Sequence, residues 1–190
     1  MKSESQTLDH GFGPLYSSDS RILILGSFPS VKSREAQFYY GHPQNRFWRI
    51  LRARFDPEVE ARLLSGEKID PPETIEEKKA LVLHHQLALW DTIERCTITG
   101  SSDSSIRDVT VTDLPWLLAR TGIERILCNG TTSYRLFQKY TLEGMQKACE
   151  ERGQHCPDVL SLPSTSPANA AWSLPKLYAA WKDALNPEKT

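Results

Sequence analysis

Four apolar runs in this sequence are each too short for a helix, and each ends in small polar residues. They are RILILGS at residues 21–27, LALWD at 87–91, RILCNG at 125–130 and DVLSLPS at 158–164. Runs of this length that stop at Gly, Ser, Asn or Asp are typical of buried β-strands. Helical patterns lie between them, and strands that alternate with helices indicate a parallel sheet covered on both faces. We therefore predict an α/β fold, a three-layer α/β/α sandwich around a central, mainly parallel four-stranded sheet.

The helical patterns are clearest between the first two predicted strands. NRFWRILRARF, residues 45–55, places Phe47, Ile50 and Leu51 on one helical face. In TIEEKKALVLHHQ, residues 74–86, Thr74 and Glu77 have capping-box spacing, which predicts a helix start. After the second strand, TITGSSDSSIRD at residues 97–108 predicts a long polar connection.

Composition limits the class of protein. The chain has 190 residues, 39% of them hydrophobic and 25% charged, so we expect one domain spanning residues 1–190 with its core at about 21–185. No apolar run approaches the roughly 20 residues of a membrane span, and the N-terminus lacks the apolar centre of a secretory signal. We therefore predict a cytoplasmic monomer that does not insert into a membrane. The four cysteines form no C-x-x-C pair and no zinc spacing, which favours reduced thiols and no metal.

The ends of the predicted strands indicate where a ligand would bind. The carboxyl ends of parallel strands meet along one edge of a sheet, so the four endings are expected to converge on one site. Gly and Ser allow close approach of a backbone, and helix starts offer free N–H groups to an anion. With a net charge of −1, the chain could meet a nucleic acid only through a local positive patch. A generic nucleotide-binding sheet would show much the same endings.

Several segments resemble one family of enzymes. YYGHPQNRFW, residues 39–48, resembles the corresponding loop of the mismatch-specific uracil-DNA glycosylases. GSFPS, ALWDTIERC, GSSDSSIRD, CNG and LPSTSPANAAWS resemble the hypoxanthine (deoxyinosine) branch of the same uracil-DNA glycosylase superfamily, and the resemblance extends from Arg21 to Trp181. It implies a DNA-repair enzyme that hydrolyses the bond between a deaminated base and deoxyribose, without metal or cofactor. Its partner would be DNA containing deaminated bases, and a bacterial source would place the protein at the nucleoid.

The resemblance assigns the main catalytic role to Asn45. Most of the superfamily carries a water-activating Asp or Asn two residues after the glycine of the first motif, and this sequence has Phe28 there. An amide can orient water and contact a cation-like sugar, and such a transition state needs little nucleophilic push. Asn45 could instead only cap the helix that follows it. His42 could supply proton chemistry, although a His-Pro turn also serves as scaffolding.

The residues expected to contact the base follow from the same resemblance. Tyr40 matches the family's stacking aromatic, and because adjacent residues of an extended chain point opposite ways, we expect Tyr39 to face the core. Asp91 stands where the uracil enzymes place a base-reading Asn, and its carboxylate could accept the N1 hydrogen of hypoxanthine or only cap the chain. Asn129 could contact the base or only turn the chain. The predicted base-binding residues are Gly26, Ser27, Phe28, Tyr40, Asp91 and Asn129.

The last strand ends in the family's third motif, which concerns DNA contact. Ser164 occupies the place of the usual His or Asn, so the leaving-group donor is not identified, and Ala168 stands where a larger wedge often fills the emptied duplex position. Insertion is therefore expected to be weak or shared with Asn169. The predicted DNA-binding residues are Ser30, His42, Arg46, Ser164, Ser166, Pro167, Ala168 and Asn169. Lys32, Arg34, Arg46 and Arg49 would form a positive lip or only a solvated helix face.

Three other functions remain open at this point. A uracil or mixed-specificity glycosylase would share nearly every motif. A nonenzymatic nucleotide- or nucleic-acid-binding module would explain the strand endings but not the loop at 39–48. A cysteine hydrolase built on Cys128 or Cys96 with His84 or His85 has no motif that places a base beside a thiol. Because no lysine in the matched motifs is placed as an amine nucleophile, we expect a monofunctional enzyme that does not nick the strand.

Overall fold

The computed structural model describes residues 5–99 and 106–186, and a four-stranded parallel sheet forms its centre. The strands are β1 Ser5–Asp9, β2 Ile22–Gly26, β3 Leu87–Asp91, β4 Ile93–Thr99, β5 Arg107–Val111, β6 Arg125–Asn129 and β7 Asp158–Leu162. The parallel sheet has the order β3-β2-β6-β7. Every residue of β2 and β3 is buried, which requires cover on both faces of the sheet.

Helices supply that cover. They are α1 Val31–Ala36, α2 Phe47–Phe55, α3 Pro57–Leu64, α4 Ile75–His84, α5 Leu114–Leu118, α6 Thr131–Tyr140, α7 Leu142–Glu151 and α8 Leu174–Trp181. Helices α4 and α6 pack on the sheet, and α2 packs against α4 and α8. Phe47, Phe137 and Trp181 are fully buried in the core between these elements. The prediction of a three-layer α/β/α sandwich with a mainly parallel four-stranded sheet is confirmed. Among the described residues, no helix is long and apolar enough to span a bilayer.

The register of the parallel sheet aligns the ends of its strands. Gly26 of β2 pairs with Asp91 of β3, and Asn129 of β6 pairs with Leu162 of β7. Leu25 of β2 pairs with the residue before Asn129. The carboxyl ends of all four strands therefore lie along one edge, as the sequence predicts.

A second sheet is antiparallel and has the order β1-β4-β5. The expectation of a polar connection at residues 97–108 is wrong at both ends, because β4 extends to Thr99 and β5 begins at Arg107. Strands with one solvated face contain many polar residues, and here Ile93, Cys96 and Ile98 form the small buried cluster. The middle of that segment, residues 100–105, lies outside the described residues.

Residues before position 21 also join the fold. Leu15 exchanges backbone hydrogen bonds with Leu89, of 3.0 and 2.8 Å, and thereby borders the parallel sheet. Phe12 and Tyr16 pack against the main core. His10, which follows β1 directly, is fully buried. The segment after β1 therefore already packs against the parallel sheet before the first predicted strand begins.

The capping box of α4 forms as the sequence predicts. The backbone N–H of Glu77 donates to Oγ1 of Thr74 over 3.1 Å. The Glu77 carboxylate in turn accepts from the backbone N–H groups of Thr74 and Glu73, at 3.2 and 2.8 Å. Because these bonds favour the ionised form, they lower the pKa of Glu77 below its usual value.

Candidate active site

A cleft of about 1010 Å³ opens at the carboxyl edge of the parallel sheet. The ends of β2, β3, β6 and β7 line it, together with α1, the segment before α2 and the loop after β7. Every predicted site residue lines this cleft except Arg46 and Pro167. Those that do are Gly26, Ser27, Phe28, Ser30, Tyr40, His42, Asn45, Asp91, Asn129, Ser164, Ser166, Ala168 and Asn169.

Gly26 and Asp91 lie side by side in this cleft. A Cβ built on Gly26 would lie only 2.0 Å from Oδ1 of Asp91, so glycine is needed for the carboxylate to lie so close to β2. The other oxygen, Oδ2, is 2.8 Å from Nε2 of His10. The side chain of Asp91 is therefore held by a residue of another element and does not cap the chain after β3.

His10 is a residue of this site that the sequence patterns do not indicate. Its backbone N–H donates to the carbonyl of Glu94 over 2.7 Å, which fixes it to β4. Its ring meets Phe12 edge-on at 4.5 Å and Phe28 at 6.4 Å between ring centres. Nδ1 is buried and has no hydrogen-bond partner among the described residues. No local motif could reveal the residue, because its partner Asp91 lies 81 positions away.

Tyr40 lines the cleft in a strained conformation. Its φ is +52°, in the left-handed region, and its ring centre lies 4.0 Å from that of Phe47. Its hydroxyl is buried beside Asn129 but has no partner at hydrogen-bond geometry among the described residues. Burial first, and then the charge of Asp91, raise the pKa of Tyr40 above its usual range. Tyr39 is 3% exposed and packs in the main core, as expected, and it also borders the cleft.

The turn that carries Tyr40 is held against α1. The backbone N–H of Gly41 donates to Oγ of Ser33 over 3.0 Å, and that of Phe38 donates to the Ser33 carbonyl over 3.0 Å. A Cβ on Gly41 would lie 2.9 Å from the Lys32 carbonyl oxygen, so this contact also requires glycine. The start of the GHPQN segment, residues 41–45, is thus held in place by contacts of its backbone with α1 and forms part of the cleft wall.

Asn45 supports the start of α2 and also faces the cleft. It lines the cleft, and its Oδ1 accepts from the backbone N–H of Phe47 over 3.0 Å, at the start of α2. The described residues include no partner for its Nδ2. With the oxygen bonded to the helix, the amino group is the donor that remains for a ligand or a water.

A family model decides the relationship of this chain to known proteins. It describes the Uracil DNA glycosylase superfamily, and it matches residues 14–186. The chain belongs to the uracil-DNA glycosylase superfamily. The matched range includes all four strands of the parallel sheet and the cleft at their carboxyl ends.

Individual relatives support the same assignment. The hypoxanthine DNA glycosylase of Methanosarcina acetivorans is 31% identical over 121 residues, which is 64% of this chain and 70% of that protein. The hypoxanthine DNA glycosylase of Methanosarcina barkeri is 32% identical over 98 residues, which is 52% of this chain and 55% of that protein. The solution NMR structure of a candidate uracil DNA glycosylase from Methanosarcina acetivorans superposes with a TM-score of 0.65 at 26% identity, covering 94% of this chain and 98% of that chain. The chain is accordingly a DNA glycosylase whose substrate is DNA.

Arg46 braces the loop after β7 in this superfamily member. Its guanidinium donates to four backbone carbonyls, those of Thr165, Ser166, Asn169 and Trp172. Arg49 behaves similarly, because it donates to the carbonyls of Ile69, Pro43 and Asn45. The alternative of a solvated helix face is therefore wrong for both arginines, whose donors are directed at their own chain.

The third superfamily motif forms a tightly bonded loop. Both ends of the Asn129 amide bind Thr165, at 2.9 Å each, and Nδ2 of Asn169 donates to the carbonyl of Ser164 over 2.9 Å. Gly130 has a φ of +100°, and a Cβ there would meet Ser164 Cβ at 2.9 Å. Asn129 thus ties β6 to this loop, and Ser164 is set at the cleft wall by close contact with the backbone of Gly130.

The remaining predicted contacts lie on α1 and the turn that follows it. Ser30 caps α1 by accepting from the backbone N–H of Ser33 over 3.2 Å. Nδ1 of His42 accepts from the backbone N–H of Gln44 over 3.1 Å, so the proton of the neutral ring lies on Nε2. Lys32 is exposed at the cleft and pairs with Glu35.

Trp172 is a second residue to which the sequence patterns assign no role. It follows the STSPAN motif, lines the cleft and is 36% exposed. Its backbone carbonyl is one of the four that Arg46 holds. The loop therefore presents a large aromatic ring to solvent at the edge of the site, close in sequence to the small Ala168.

The arrangement does not suit a cysteine hydrolase. Burial raises the pKa of Cys128 to about 12, which disfavours the thiolate that such chemistry needs. His84 ends α4 and His85 stacks on Phe55 at 3.7 Å, both before β3 begins. They therefore lie towards the amino end of β3, whereas Cys128 lies near the carboxyl end of β6. Within the described ranges, no three His, Cys, Asp or Glu side chains cluster as metal ligands.

Proposed function

We propose that this glycosylase removes hypoxanthine from DNA and leaves an abasic site. The observation that carries this choice is the buried Asp91 carboxylate in the cleft. The family resemblance matches Asp91 to the base-reading Asn of the uracil enzymes. A carboxylate accepts hydrogen bonds and donates none. Both named relatives act on hypoxanthine, which agrees with a site built around an acceptor.

Recognition begins when the base leaves the stack. Extrusion costs a few kcal/mol, which aromatic side chains repay by stacking on the base. Tyr40 and Phe28 both line the cleft and carry the faces for this contact. Oδ1 of Asp91, next to Gly26, then accepts the N1–H of hypoxanthine. Adenine has a lone pair at N1 and would leave this acceptor unpaired.

Asn45 acts on the water in the proposed hydrolysis. Its Nδ2 donates to the water oxygen and holds it near C1′ of the flipped nucleotide, while Oδ1 stays bonded to Phe47. The C1′–N9 bond breaks and a C1′–O bond forms. One proton of the water goes to the leaving base, and the hydroxyl stays on the sugar. Because the transition state is cation-like, placement of the water matters more than a strong base.

The same geometry supports a monofunctional enzyme. Lys32 is the lysine that lines the described cleft, and its ammonium group pairs with Glu35 on the surface of α1. A Schiff base would need a desolvated amine beside C1′. Hydrolysis by water therefore fits these residues better than attack by an amine.

An end-labelled duplex with a single hypoxanthine, uracil or xanthine tests the proposal. We expect fastest release of hypoxanthine, with strand breakage only after alkali and no borohydride-trapped complex. Faster release of uracil would favour the mixed-specificity alternative. DNA binding without release of any of the three bases, from wild-type protein of normal stability, would favour a nonenzymatic module.

A further inference from the structure

The contact between His10 and Asp91 differs from the ion pairs among the described residues in its burial. Its side chains are 0% and 8% exposed, whereas every other such pair is at least 46% exposed on both sides. Removing two polar groups from water is costly unless their hydrogen bonds are satisfied. Burial of these two polar groups is costly, and Asp91 lies at the wall of the cleft. The pair is therefore expected to have a functional role in addition to any effect on stability.

The two oxygens of Asp91 have different surroundings. Oδ2 lies 2.8 Å from Nε2 of His10, and Oδ1 lies against the Cα of Gly26, where a Cβ would meet it at 2.0 Å. Asp91 lines the cleft and His10 does not. The imidazole therefore binds the carboxylate on the side away from the cleft, and its hydrogen bond involves only Oδ2.

The state of the imidazole follows from its second nitrogen. Nδ1 is buried and has no partner among the described residues, and the centres of the Phe12, Phe28 and Tyr39 rings lie 4.5, 6.4 and 6.1 Å from that of the imidazole. A second N–H would be left unbonded there, so the neutral ring with its proton on Nε2 fits best. In that tautomer, His10 can only donate to Asp91.

We infer that His10 is a positioning residue that sets the hydrogen-bond polarity of the base site. Because His10 donates to Oδ2, Asp91 presents Oδ1 to the cleft as an acceptor, and the site selects a base whose ring nitrogen carries hydrogen. Hypoxanthine meets this condition and adenine does not, so the pair distinguishes the deaminated base from its undamaged parent, adenine. The inference rests on the proposed function and extends it to a residue supplied by the second sheet.

The position of His10 at the end of β1 links the antiparallel sheet to the site. His10 directly follows β1, and its backbone N–H donates to the Glu94 carbonyl of β4 over 2.7 Å. The titratable or charged groups near the pair are Tyr39, Tyr40, Glu94, Cys128 and the Asp9–Arg95 pair. Burial raises the pKa of both tyrosines, so they remain neutral at physiological pH. The hydrogen bond from His10 is therefore what orients the Asp91 carboxylate.

The test measures the affinity of the full chain for DNA that it cannot cleave. The probes carry 2′-fluoro-2′-deoxyinosine or 2′-fluoro-2′-deoxyadenosine, because an electron-withdrawing fluorine disfavours a cation-like sugar. Each stands opposite an abasic spacer, so that base pairing does not bias extrusion. We expect the wild type to prefer the inosine probe. His10→Phe, which keeps a ring among the aromatics but lacks the donor, should reduce this preference about tenfold to a hundredfold, as when a residue that orients a ligand is removed.

Two further variants separate positioning from stability. His10→Gln keeps a side-chain N–H donor and should retain most of the preference. Asp91→Asn should shift it towards adenine, because a donor at position 10 orients the amide oxygen inward and the amide NH₂ towards the cleft. Adding His10→Phe to Asp91→Asn should abolish that shift, since the amide can then rotate.

The inference would be overturned if folded His10→Phe kept the wild-type preference, or if His10→Phe left the Asp91→Asn shift unchanged. Thermal melting identifies which variants are folded, and His10→Gln provides the readout if His10→Phe is not. If His10→Gln then lost the preference as well, the inference would also fail. Equal wild-type affinity for both probes and for undamaged DNA would overturn the proposed function itself.

Discussion

Oδ1 of Asn45 accepts a hydrogen bond of 3.0 Å from the backbone N–H of Phe47, so the proposed catalytic side chain also supports the first turn of α2. The two roles use different atoms. The oxygen serves the helix, and Nδ2 is the group that remains for water. A substitution that keeps the oxygen but removes the amino group therefore tests catalysis without removing the helix cap.

Asn45→Ala removes both atoms and Asn45→Asp removes the donor alone. For Asn45→Ala we expect excision to slow by about a hundredfold to a thousandfold, the usual cost of one preorganised polar contact. Its stability should fall by about 0.5–2 kcal/mol, as for a lost cap. Asn45→Asp should melt like the wild type but excise no better than the alanine variant. Single-turnover excision and thermal melting measure the two effects, and rapid excision by destabilised Asn45→Ala would leave Asn45 as a cap only.

The hydroxyls of Tyr39 and Tyr40 should respond differently to removal. That of Tyr39 donates to the carbonyl of Gly13 over 2.9 Å, whereas that of Tyr40 is buried and has no partner at hydrogen-bond geometry among the described residues. Tyr39→Phe should therefore cost about 0.5–1.5 kcal/mol of stability, and Tyr40→Phe should cost none. Tyr40→Ala should weaken binding to hypoxanthine-containing DNA by about 1–3 kcal/mol if the ring stacks on the base. Denaturant unfolding and DNA titration measure these changes. Unchanged affinity in folded Tyr40→Ala would remove the ring from base binding.

The position of the site could be predicted because it depends on sheet topology. Buried runs that end in Gly26, Asp91 and Asn129 imply parallel strands, and parallel strands place their carboxyl ends on one edge. The resemblance then added Tyr40 and Asn45, which lie in one continuous motif. Sheet topology and the family resemblance of short continuous segments together therefore sufficed for most of the cleft.

The remaining features depend on contacts between distant segments. His10 directly follows a short strand, and its proposed role depends on Asp91, 81 positions along the chain. Arg46 resembles a phosphate ligand in sequence, yet its donors meet carbonyls more than 100 positions away. Strands β4 and β5 each have one polar, exposed face, so their amino-acid composition resembles that of a loop and hides them from sequence patterns.

Arg46→Ala should affect stability more than DNA affinity. Its guanidinium binds four backbone carbonyls of the loop after β7, and these four bonds would be lost together, although the Thr165 carbonyl keeps the backbone N–H of residue 46. We expect a loss of about 1–3 kcal/mol, the scale of hydrogen bonds made by a charged group. The slope of log affinity against log salt should stay unchanged, whereas a lost phosphate contact would lower it by about one. Lys32→Ala, at an exposed site on the cleft, is the matched control. A lower salt slope for folded Arg46→Ala would restore it as a phosphate ligand.

Glu77 should make stability depend on pH. The pKa of its carboxyl is lowered in the folded protein, chiefly because it accepts the backbone N–H groups of Thr74 and Glu73. A lowered folded-state pKa stabilises the protein above the unfolded value of about 4.5, and the gain is lost as pH falls through the folded value. The wild type should therefore melt above Glu77→Ala at pH 7, and the gap should close below about pH 4. Glu76→Ala, in the same helical turn, should give a smaller gap, and a pH-independent gap for Glu77→Ala would contradict the assignment.

Trp172 should contribute to DNA binding from the edge of the cleft. Its ring is exposed on a loop fixed by Arg46, and Ala168 nearby is too small to fill an emptied duplex position. We expect Trp172→Ala to weaken binding by about 1–3 kcal/mol, the scale of stacking between an aromatic ring and a base. Because the ring is not part of the core, the melting temperature should change little.

Tyr140→Ala is the matched control for Trp172→Ala. Tyr140 ends α6, is also 36% exposed and does not line the cleft, so its loss should leave DNA affinity unchanged. Comparing duplexes with and without an abasic gap opposite the probe shows whether the indole fills the duplex or only touches its surface. A ring that fills the vacated position should matter less when the partner base is absent, because less stacking remains to be replaced. Equal affinities of Trp172→Ala and Tyr140→Ala for all duplexes would show that Trp172 has no part in DNA binding.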